Sequence, residues 1–256
     1  MYKQKLVITD LDGTLLDSRK ALPEGCIKAF SDLAELDVKT AMITARPKRA
    51  AEDFVKAVGC DAAAYDNGAY IYRCGELIST SVLDGDFVRE LTAKLTAEDP
   101  DVYIAAESEG QMYANYNMLA HWEKVEAERC DFPKFPFYSA SKLIIGTEDK
   151  ARLAMIASMI NYGDVHVELA HSTVLITTDK STKLYAAKKI AESFGIDMSD
   201  VYAFGDDIGD VELLRSVGHP YCVENGHPMA KASAKVIPAN DAHGVISAIK
   251  KDILGT

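Results

Sequence analysis

The sequence has little positive charge, no long apolar run and no leader-like start. Its 28 Lys and Arg residues face 39 Asp and Glu residues, giving a formal net charge of −11. Non-specific nucleic-acid binding requires a basic surface, so we expect no nucleic-acid partner. Because no run of about 18 apolar residues occurs, we expect no membrane span. The chain enters a predicted strand without a basic segment and an apolar stretch before it, so we expect no signal peptide.

Patterns typical of disulfide frameworks, zinc sites and dinucleotide sites are also missing. The cysteines are odd in number, widely spaced and never in a Cys-x-x-Cys pair: Cys26, Cys60, Cys74, Cys130 and Cys222. The six histidines form no His-x-His or His-Glu-x-x-His pair, and no Gly-x-Gly-x-x-Gly follows the first strand. We therefore expect reduced thiols and a cytoplasmic protein.

Two parts of the chain differ in their sequence pattern and composition. Residues 1–78 and 180–256 alternate strand and helix signals, as in an α/β domain built on a parallel sheet. Residues 79–179 contain the only Trp, several Tyr and the run Phe132-Pro133-Lys134-Phe135-Pro136-Phe137. The pattern predicts an α/β core that is split in the sequence, with an α+β domain inserted at residues 79–179.

Two carboxylates, Asp10 and Asp12, follow the apolar run Leu6-Val7-Ile8. The run predicts a buried strand, and open α/β sheets place their ligand sites at the carboxyl ends of strands. Side chains two residues apart in an extended segment point the same way, so these anions would lie close together. A divalent cation or a shared chemical task removes the repulsion. An ordinary turn or helix cap is at this point an equally good interpretation.

Three further polar positions follow predicted strands or begin predicted helices. Thr44 follows the second strand, where it could bind an anion or serve as an ordinary N-cap. Lys183 begins a helix, and a cation at a helix N-terminus opposes the helix dipole. Binding of a phosphate would explain this placement, but a solvated surface lysine is the commoner explanation. Asp206 lies in Gly205-Asp206-Asp207-Ile208-Gly209-Asp210, whose carboxylates could bind Mg²⁺ or simply favour the start of a helix.

In combination and in this order, these elements resemble the four motifs of the haloacid dehalogenase (HAD) superfamily of phosphohydrolases. The matching positions are Asp10-Leu11-Asp12-Gly13-Thr14, Thr44, Lys183 and Gly205 to Asp210. The segments Asp66-Asn67-Gly68-Ala69 and Val223-Glu224-Asn225-Gly226 resemble the Cof-type branch, which carries a large cap. The resemblance implies a Rossmann-like catalytic core at residues 1–78 and 180–256. It also implies an α+β cap at residues 79–179 that acts as a lid and selects the substrate; the cap matches by position and size only.

The resemblance also implies a role for each motif residue. Asp10 would be the nucleophile that forms an aspartyl-phosphate, and Asp12 would be the general acid and then the general base. The cofactor would be Mg²⁺, with phosphate and waters among its ligands. The protein would supply three more: Asp10, the backbone carbonyl of Asp12, and Asp206. Asp210 would act through water or a lysine. The phosphate would be held by Thr44, the N–H of Ala45, Lys183 and Asn225.

Two positions depart from the Cof-type pattern. Ala45 stands where the branch usually has Gly in its second motif, and we expect the added methyl group to be tolerated. Gly209 stands where the fourth motif usually has Asn, which removes an amide expected to support the metal site. Losses of this kind commonly cost about 10–100-fold in metal affinity or activity.

The inserted domain contains a group of polar and aromatic residues that could line a sugar or cofactor pocket. Packing or a solvated loop is the favoured interpretation for each of them: Tyr113, Asn115, Tyr116, His121 and Trp122.

The leading hypothesis is a Mg²⁺-dependent phosphatase for small cytosolic phosphomonoesters, with sugar phosphates the best single candidate. A phosphomutase on the same scaffold is the second hypothesis. A phospho-receiver or a non-catalytic phosphate-binding protein is the third, but receivers are about half this length, and a binder has no need of a general acid beside Asp10. The sequence carries no signal for an oligomeric state.

Overall fold

A computed structural model describes residues 3–118, 125–147, 149–160, 163–169 and 173–256. The chain divides into two compact units, Met1–Thr80 with Thr182–Thr256, and Ser81–Ser181. These are termed the core unit and the inserted unit. Their predicted roles, catalysis and substrate selection, stay predictions.

The first part of the core unit alternates strands and helices. Its strands are β1 (Leu6–Thr9), β2 (Lys39–Ile43), β3 (Ala62–Tyr65), β4 (Tyr70–Arg73) and β5 (Glu76–Thr80). Helix α1 (Cys26–Glu35) follows β1, and α2 (Lys48–Val58) follows β2. Every residue of β1 is buried, as expected for a central strand of a parallel sheet that is covered on both faces.

The inserted unit has a six-stranded sheet and a separate strand pair within its described residues. Its strands are β6 (Leu83–Asp84), β7 (Tyr103–Ser108), β8 (Gln111–Ala114), β9 (Glu128–Arg129), β10 (Ser139–Ala140), β11 (Lys142–Gly146), β12 (Val165–Leu169) and β13 (Thr173–Thr178). The larger sheet has the order β12-β13-β11-β7-β8-β9. Helices α3 (Gly85–Glu98) and α4 (Lys150–Met159) share a hydrophobic core with one face of this sheet.

The second part of the core unit returns to the alternation of the first. Its strands are β14 (Val201–Gly205), β15 (His219–Val223) and β16 (Lys235–Ile237). Its helices are α5 (Lys183–Phe194), α6 (Val211–Ser216), α7 (Pro228–Lys231) and α8 (Gly244–Ala248). No helix in the described ranges is long and apolar enough to cross a membrane.

The two parts of the core unit share one sheet, with the order β16-β15-β14-β1-β2-β3-β4-β5. Neighbouring strands from β16 to β3 are parallel, whereas β4 and β5 are antiparallel. Helices α1, α2 and α8 contribute to the hydrophobic core on one face, and α5 and α6 to the core on the other. The predicted α/β class with a parallel-sheet core is confirmed. Because β14, β1 and β2 are adjacent and parallel, Asp206, Asp10 and Thr44 emerge at the same edge of the sheet.

Candidate active site

Asp10 begins a tight turn at the carboxyl end of β1. Its backbone N–H donates to the carbonyl of Phe204 on β14 at 3.0 Å, which fixes the start of the turn to the neighbouring strand. Gly13, within the turn, has φ +78°, a conformation that residues with a Cβ rarely adopt. A Cβ at this position would lie 2.4 Å from Oδ2 of Asp206. The turn therefore requires glycine both for its backbone conformation and for space beside Asp206.

Three carboxylates lie close together, and two of them contact one buried lysine. Asp10, Asp206 and Asp210 each offer an oxygen, and these atoms all lie within 4.8 Å of one another. Nζ of Lys183, the first residue of α5, lies 3.1 Å from Oδ1 of Asp10 and 2.7 Å from Oδ1 of Asp210. Asp10, Asp210 and Lys183 are buried, at 7%, 1% and 7% exposure. When all four groups are ionised, the cluster carries a formal charge of −2.

The pKa values in this cluster reflect its burial and its excess of negative charge. Burial raises the pKa of Asp10 to about 8, against the opposing effect of Lys183 and with further upward pressure from Asp210 and Asp206. Burial also raises the pKa of Asp206. Burial alone would lower the pKa of Lys183, but Asp10 and Asp210 hold it above its ordinary value. An excess of buried negative charge on oxygen donors is the environment that suits a hard divalent cation such as Mg²⁺, so the residues fit the implied metal.

The loop after β14 orients two of the three carboxylates. Oδ2 of Asp210 accepts the N–H groups of Asp206 at 3.1 Å and Asp207 at 3.0 Å, while its Oδ1 faces Lys183. Oδ1 of Asp206 accepts the hydroxyl of Thr14 at 2.6 Å. Both oxygens of Asp210 are thus engaged with protein groups, in keeping with the predicted indirect role through a lysine.

Two glycines of this loop differ in what surrounds them. A Cβ at Gly205 would lie 2.5 Å from Cγ of Asp210, so the cluster occupies the space of a side chain there. A Cβ at Gly209 would meet nothing within 4 Å. An asparagine would therefore fit at position 209, where the Cof-type pattern usually has one.

Asp12 has a different environment from Asp10, although only one residue separates them. Its carboxylate pairs with the guanidinium of Arg46, Oδ2 to Nε and Oδ1 to Nη2, both at 2.6 Å. Nζ of Lys20 lies 2.7 Å from Oδ1. Partial burial opposes ionisation, but the hydrogen bonds from Arg46 and Lys20 outweigh it and lower the pKa of Asp12. The Asp12 side chain is therefore a paired carboxylate in this structure, and its role as an acid stays a prediction.

Thr44 lies buried at the end of β2, with 1% exposure. Its N–H donates to the carbonyl of Ala64 on β3 at 3.0 Å, and its Oγ1 accepts the N–H of Arg46 at 3.1 Å. Within the described residues its hydroxyl hydrogen has no acceptor, which leaves that hydrogen for a ligand. Ala45, whose N–H was predicted to bind phosphate, follows as an exposed residue in the turn that leads to α2.

Asn225 lies beside the turn of Asp10 but bonds to backbone. Its Nδ2 donates to the carbonyl of Gly13 at 2.8 Å, and its Oδ1 accepts the N–H of Asn240 at 3.0 Å. The side chain thus joins the segment after β15 to the turn after β1. Its predicted contact with phosphate stays a prediction.

Sequence reasoning assigned no role to four residues that touch the site or its turn: Thr14, Lys20, Arg46 and Asn240. Thr14 stands inside the first recognised motif, and Arg46 directly follows Thr44 and Ala45 of the second, so a signal for them was present. Lys20 and Asn240 belong to no recognised motif, and their contacts depend on how distant segments meet.

The polar and aromatic group of the inserted unit is engaged in packing where it is described. The Asn115 amide accepts the N–H of Ile104 and donates to the carbonyl of Val102, both at 2.8 Å. Rings pack as the pairs Tyr103 with Tyr116 and Tyr113 with Phe137. His121 and Trp122 lie outside the described residues.

Similarity to known proteins identifies the family of this chain. The family model of haloacid dehalogenase-like hydrolases matches residues 7–249. The chain belongs to this family. Within this family, the chain is a phosphatase of the Cof-type branch.

Two curated phosphatases match along almost their whole length. The phosphoglycolate phosphatase of Archaeoglobus fulgidus is 25% identical, with 98% of this chain and 97% of the relative covered. The pyridoxal phosphate phosphatase YbhA of Escherichia coli is 23% identical, with 91% and 92% covered. Among solved structures, the HAD subclass IIB sugar phosphatase BT4131 has a TM-score of 0.82 at 19% identity, covering 97% of this chain and 99% of that one. The structural match shows a shared fold.

We expect the substitution Gly13→Ala to abolish Mg²⁺ binding, because the new Cβ would displace the Asp206 carboxylate. Gly59→Ala is a matched control, since Gly59 has φ +70° and a Cβ there meets nothing within 4 Å. Both substitutions carry the cost of a left-handed backbone, roughly 1–2 kcal/mol, which thermal unfolding would show. Calorimetric titration with Mg²⁺ separates them, and unchanged Mg²⁺ affinity in Gly13→Ala would contradict the proposed packing.

The pKa of Asp10 predicts a pH-dependent Mg²⁺ affinity. Below about pH 8 the metal-free site keeps a proton on Asp10, which the cation must displace. The apparent affinity should therefore rise about tenfold per pH unit towards pH 8 and level off above it. Calorimetric titrations from pH 6 to pH 9 would measure this, with Asp207→Asn as the control that keeps the dependence, because Asp207 is exposed and is not one of the clustered carboxylates. A flat profile in the unaltered protein would contradict the assignment.

Proposed function

We propose that this protein is a Mg²⁺-dependent phosphomonoester hydrolase that acts on small metabolites through an aspartyl-phosphate on Asp10. The observation that carries the proposal is the cluster of Asp10, Asp206 and Asp210 around Lys183 at the carboxyl edge of the sheet. The relatives named above act on small phosphate esters, and we take sugar phosphates as the first class to test. Five free cysteines favour a reducing compartment, and we propose the cytoplasm.

In the first step, an oxygen of Asp10 attacks phosphorus as the bond to the ester oxygen breaks. A carboxylate needs no base to act as a nucleophile once it is ionised. Lys183, 3.1 Å away, favours that ionised form. Bound at Asp10, Asp206 and the carbonyl of Asp12, Mg²⁺ would neutralise the repulsion between the Asp10 carboxylate and the phosphate dianion.

Asp12 would transfer protons in both steps. In its protonated form it gives a proton to the leaving ester oxygen. The resulting carboxylate then takes a proton from water, whose oxygen attacks phosphorus, releasing inorganic phosphate and the Asp10 carboxylate. Arg46 and Lys20 hold the carboxylate form in the free enzyme. We infer that these contacts loosen before Asp12 carries its proton.

Three groups would hold the phosphoryl oxygens as charge shifts between them. They are the hydroxyl of Thr44, the N–H of Ala45 and the ammonium of Lys183, with the Asn225 amide, which keeps one N–H beyond its bond to Gly13, as a fourth. Donors fixed in advance stabilise developing charge without reorganisation, and Thr44 and Lys183 are both buried and held by their neighbours. We assign recognition of the leaving alcohol to the inserted domain, which the sequence predicts at residues 79–179.

We expect Asp10→Asn to abolish phosphate release, because an amide cannot form the aspartyl-phosphate. The assay is a panel of phosphomonoesters with and without Mg²⁺, monitored both for phosphate and for isomeric products. Asp207→Asn is the matched control. Asp207 is exposed and caps the N–H of Ile208, which Asn also does, so this variant should keep its activity. Phosphate release by Asp10→Asn would refute the mechanism, and isomer formation by the unaltered protein would favour a mutase.

We expect Asp12→Asn to discriminate between leaving groups. Alkyl phosphates need a proton on the departing oxygen, so their hydrolysis should fall by about 10²–10⁴-fold. An activated aryl phosphate, whose phenolate leaves without a proton, should lose much less in the step that forms the intermediate. Single-turnover rates for the two substrates provide the measurement, and equal losses would remove Asp12 from the role of acid.

A further inference from the structure

The turn that carries Asp10 and Asp12 is held from outside by two asparagines. Nδ2 of Asn225 donates to the carbonyl of Gly13 at 2.8 Å, and Nδ2 of Asn240 donates to the carbonyl of Leu16 at 2.9 Å. The two asparagines are themselves joined, since the N–H of Asn240 donates to Oδ1 of Asn225 at 3.0 Å. A continuous hydrogen-bonded connection thus runs from the C-terminal part of the core unit to the turn.

Asn240 is itself held in place by its neighbours. Asn240, in the loop after β16, is buried, with 8% exposure, and its side chain is bonded to the carbonyl of Leu16. A Cβ at Gly244 would lie 1.8 Å from the carbonyl of Pro238, so the start of α8 packs directly on the backbone before Asn240. The next residue, Asp241, accepts the N–H of Ser18 at 2.7 Å, which is a second hydrogen bond between the loop after β16 and the segment after β1.

The peptide group after Gly13 links this hydrogen-bonded connection to the proposed metal site. Its carbonyl is fixed by Asn225, and the next residue, Thr14, donates its hydroxyl to Asp206 at 2.6 Å. The carbonyl of Asp12, an implied Mg²⁺ ligand, belongs to the peptide group immediately before Gly13. A change in the support of this turn would therefore alter the direction of that carbonyl and the hydrogen bond to Asp206 together.

We propose that Asn240 is a positioning residue for the metal site, acting through Asn225 and the backbone of the turn. The inference rests on the proposed function, because it assumes that Mg²⁺ binds where Asp10 and Asp206 meet. Asn240 contacts neither the carboxylates nor Lys183, so its effect is on geometry alone. Outer contacts that orient metal ligands commonly change metal affinity by about 10–100-fold.

The test measures Mg²⁺ binding directly, by calorimetric titration of the full chain. Asn240→Ala removes the bond to Leu16, and Asn225→Ala removes the bond to Gly13. Each should weaken Mg²⁺ binding about tenfold or more. The double variant should lose less than the product of the two, because both side chains hold one turn. At saturating Mg²⁺, kcat of Asn240→Ala should fall while its KM for the phosphomonoester changes little.

Thr40→Val provides the matched control. Thr40 is buried at the other end of β2, and its hydroxyl donates to Oδ2 of Asp61 at 3.2 Å. This variant should lower Tm but leave Mg²⁺ affinity unchanged. Should Asn240→Ala fail to fold, Asn240→Leu keeps a similar side-chain shape and removes the amide donor without adding a charge.

Each outcome decides between the inference and the proposed function. Asn240 variants that lose Tm as Thr40→Val does, but bind Mg²⁺ as tightly as the unaltered protein, would overturn the positioning role alone. An unaltered protein that neither binds Mg²⁺ nor releases phosphate would overturn the proposed function and this inference with it. Weaker Mg²⁺ binding in both asparagine variants, with the control unaffected, would establish the role.

Discussion

An excess of buried negative charge is the constraint on which the core unit depends. Asp10, Asp206 and Asp210 meet at the edge of the sheet with one ammonium among them. Unpaired charges in a protein interior are costly, so such a site either takes up a proton or holds a cation. The proposed reaction uses this property, since Asp10 would exchange a proton for a metal before it attacks phosphorus.

Other features of the core unit follow from this cluster. A lysine at the first position of α5 opposes the helix dipole, by roughly 0.3–1 kcal/mol, yet its place beside two carboxylates outweighs that cost. Gly13 and Gly205 have no side chain because the carboxylates of Asp206 and Asp210 fill the space where one would be. The local sequence therefore departs from ordinary helix and turn preferences where the cluster requires it.

The turn after β1 places two chemically identical side chains in opposite environments. Burial raises the pKa of Asp10, whereas Arg46 and Lys20 outweigh partial burial and lower the pKa of Asp12. Pairs of carboxylates that are separated in this way commonly take different roles in one reaction. The difference arises from the turn, which directs one side chain into the cluster and the other towards two cations.

The local sequence predicted the strands and turns that depend on residues close together in the chain. Short apolar runs predicted β1, β2 and β14, and the turn residues that follow them predicted the edge at which the site lies. β5 was not predicted, because its residues are mostly exposed and show no strand alternation. The contacts of Asp12 with Arg46 and of Asn240 with Leu16 also escaped prediction, since they join positions 34 and 224 residues apart. Their existence depends on tertiary packing, which residue spacing does not encode.

The pairing of β1 with β14 has a consequence for synthesis of the protein. Residues of β1 pair with residues about two hundred positions later, as Thr9 does with Phe204. At about 5–20 residues per second, β14 emerges from the ribosome some tens of seconds after β1. Throughout that interval the wholly apolar face and open edge of β1 lack their final partner, a state that favours aggregation. Chain order thus makes the central strand of the finished sheet a temporary edge in the growing chain.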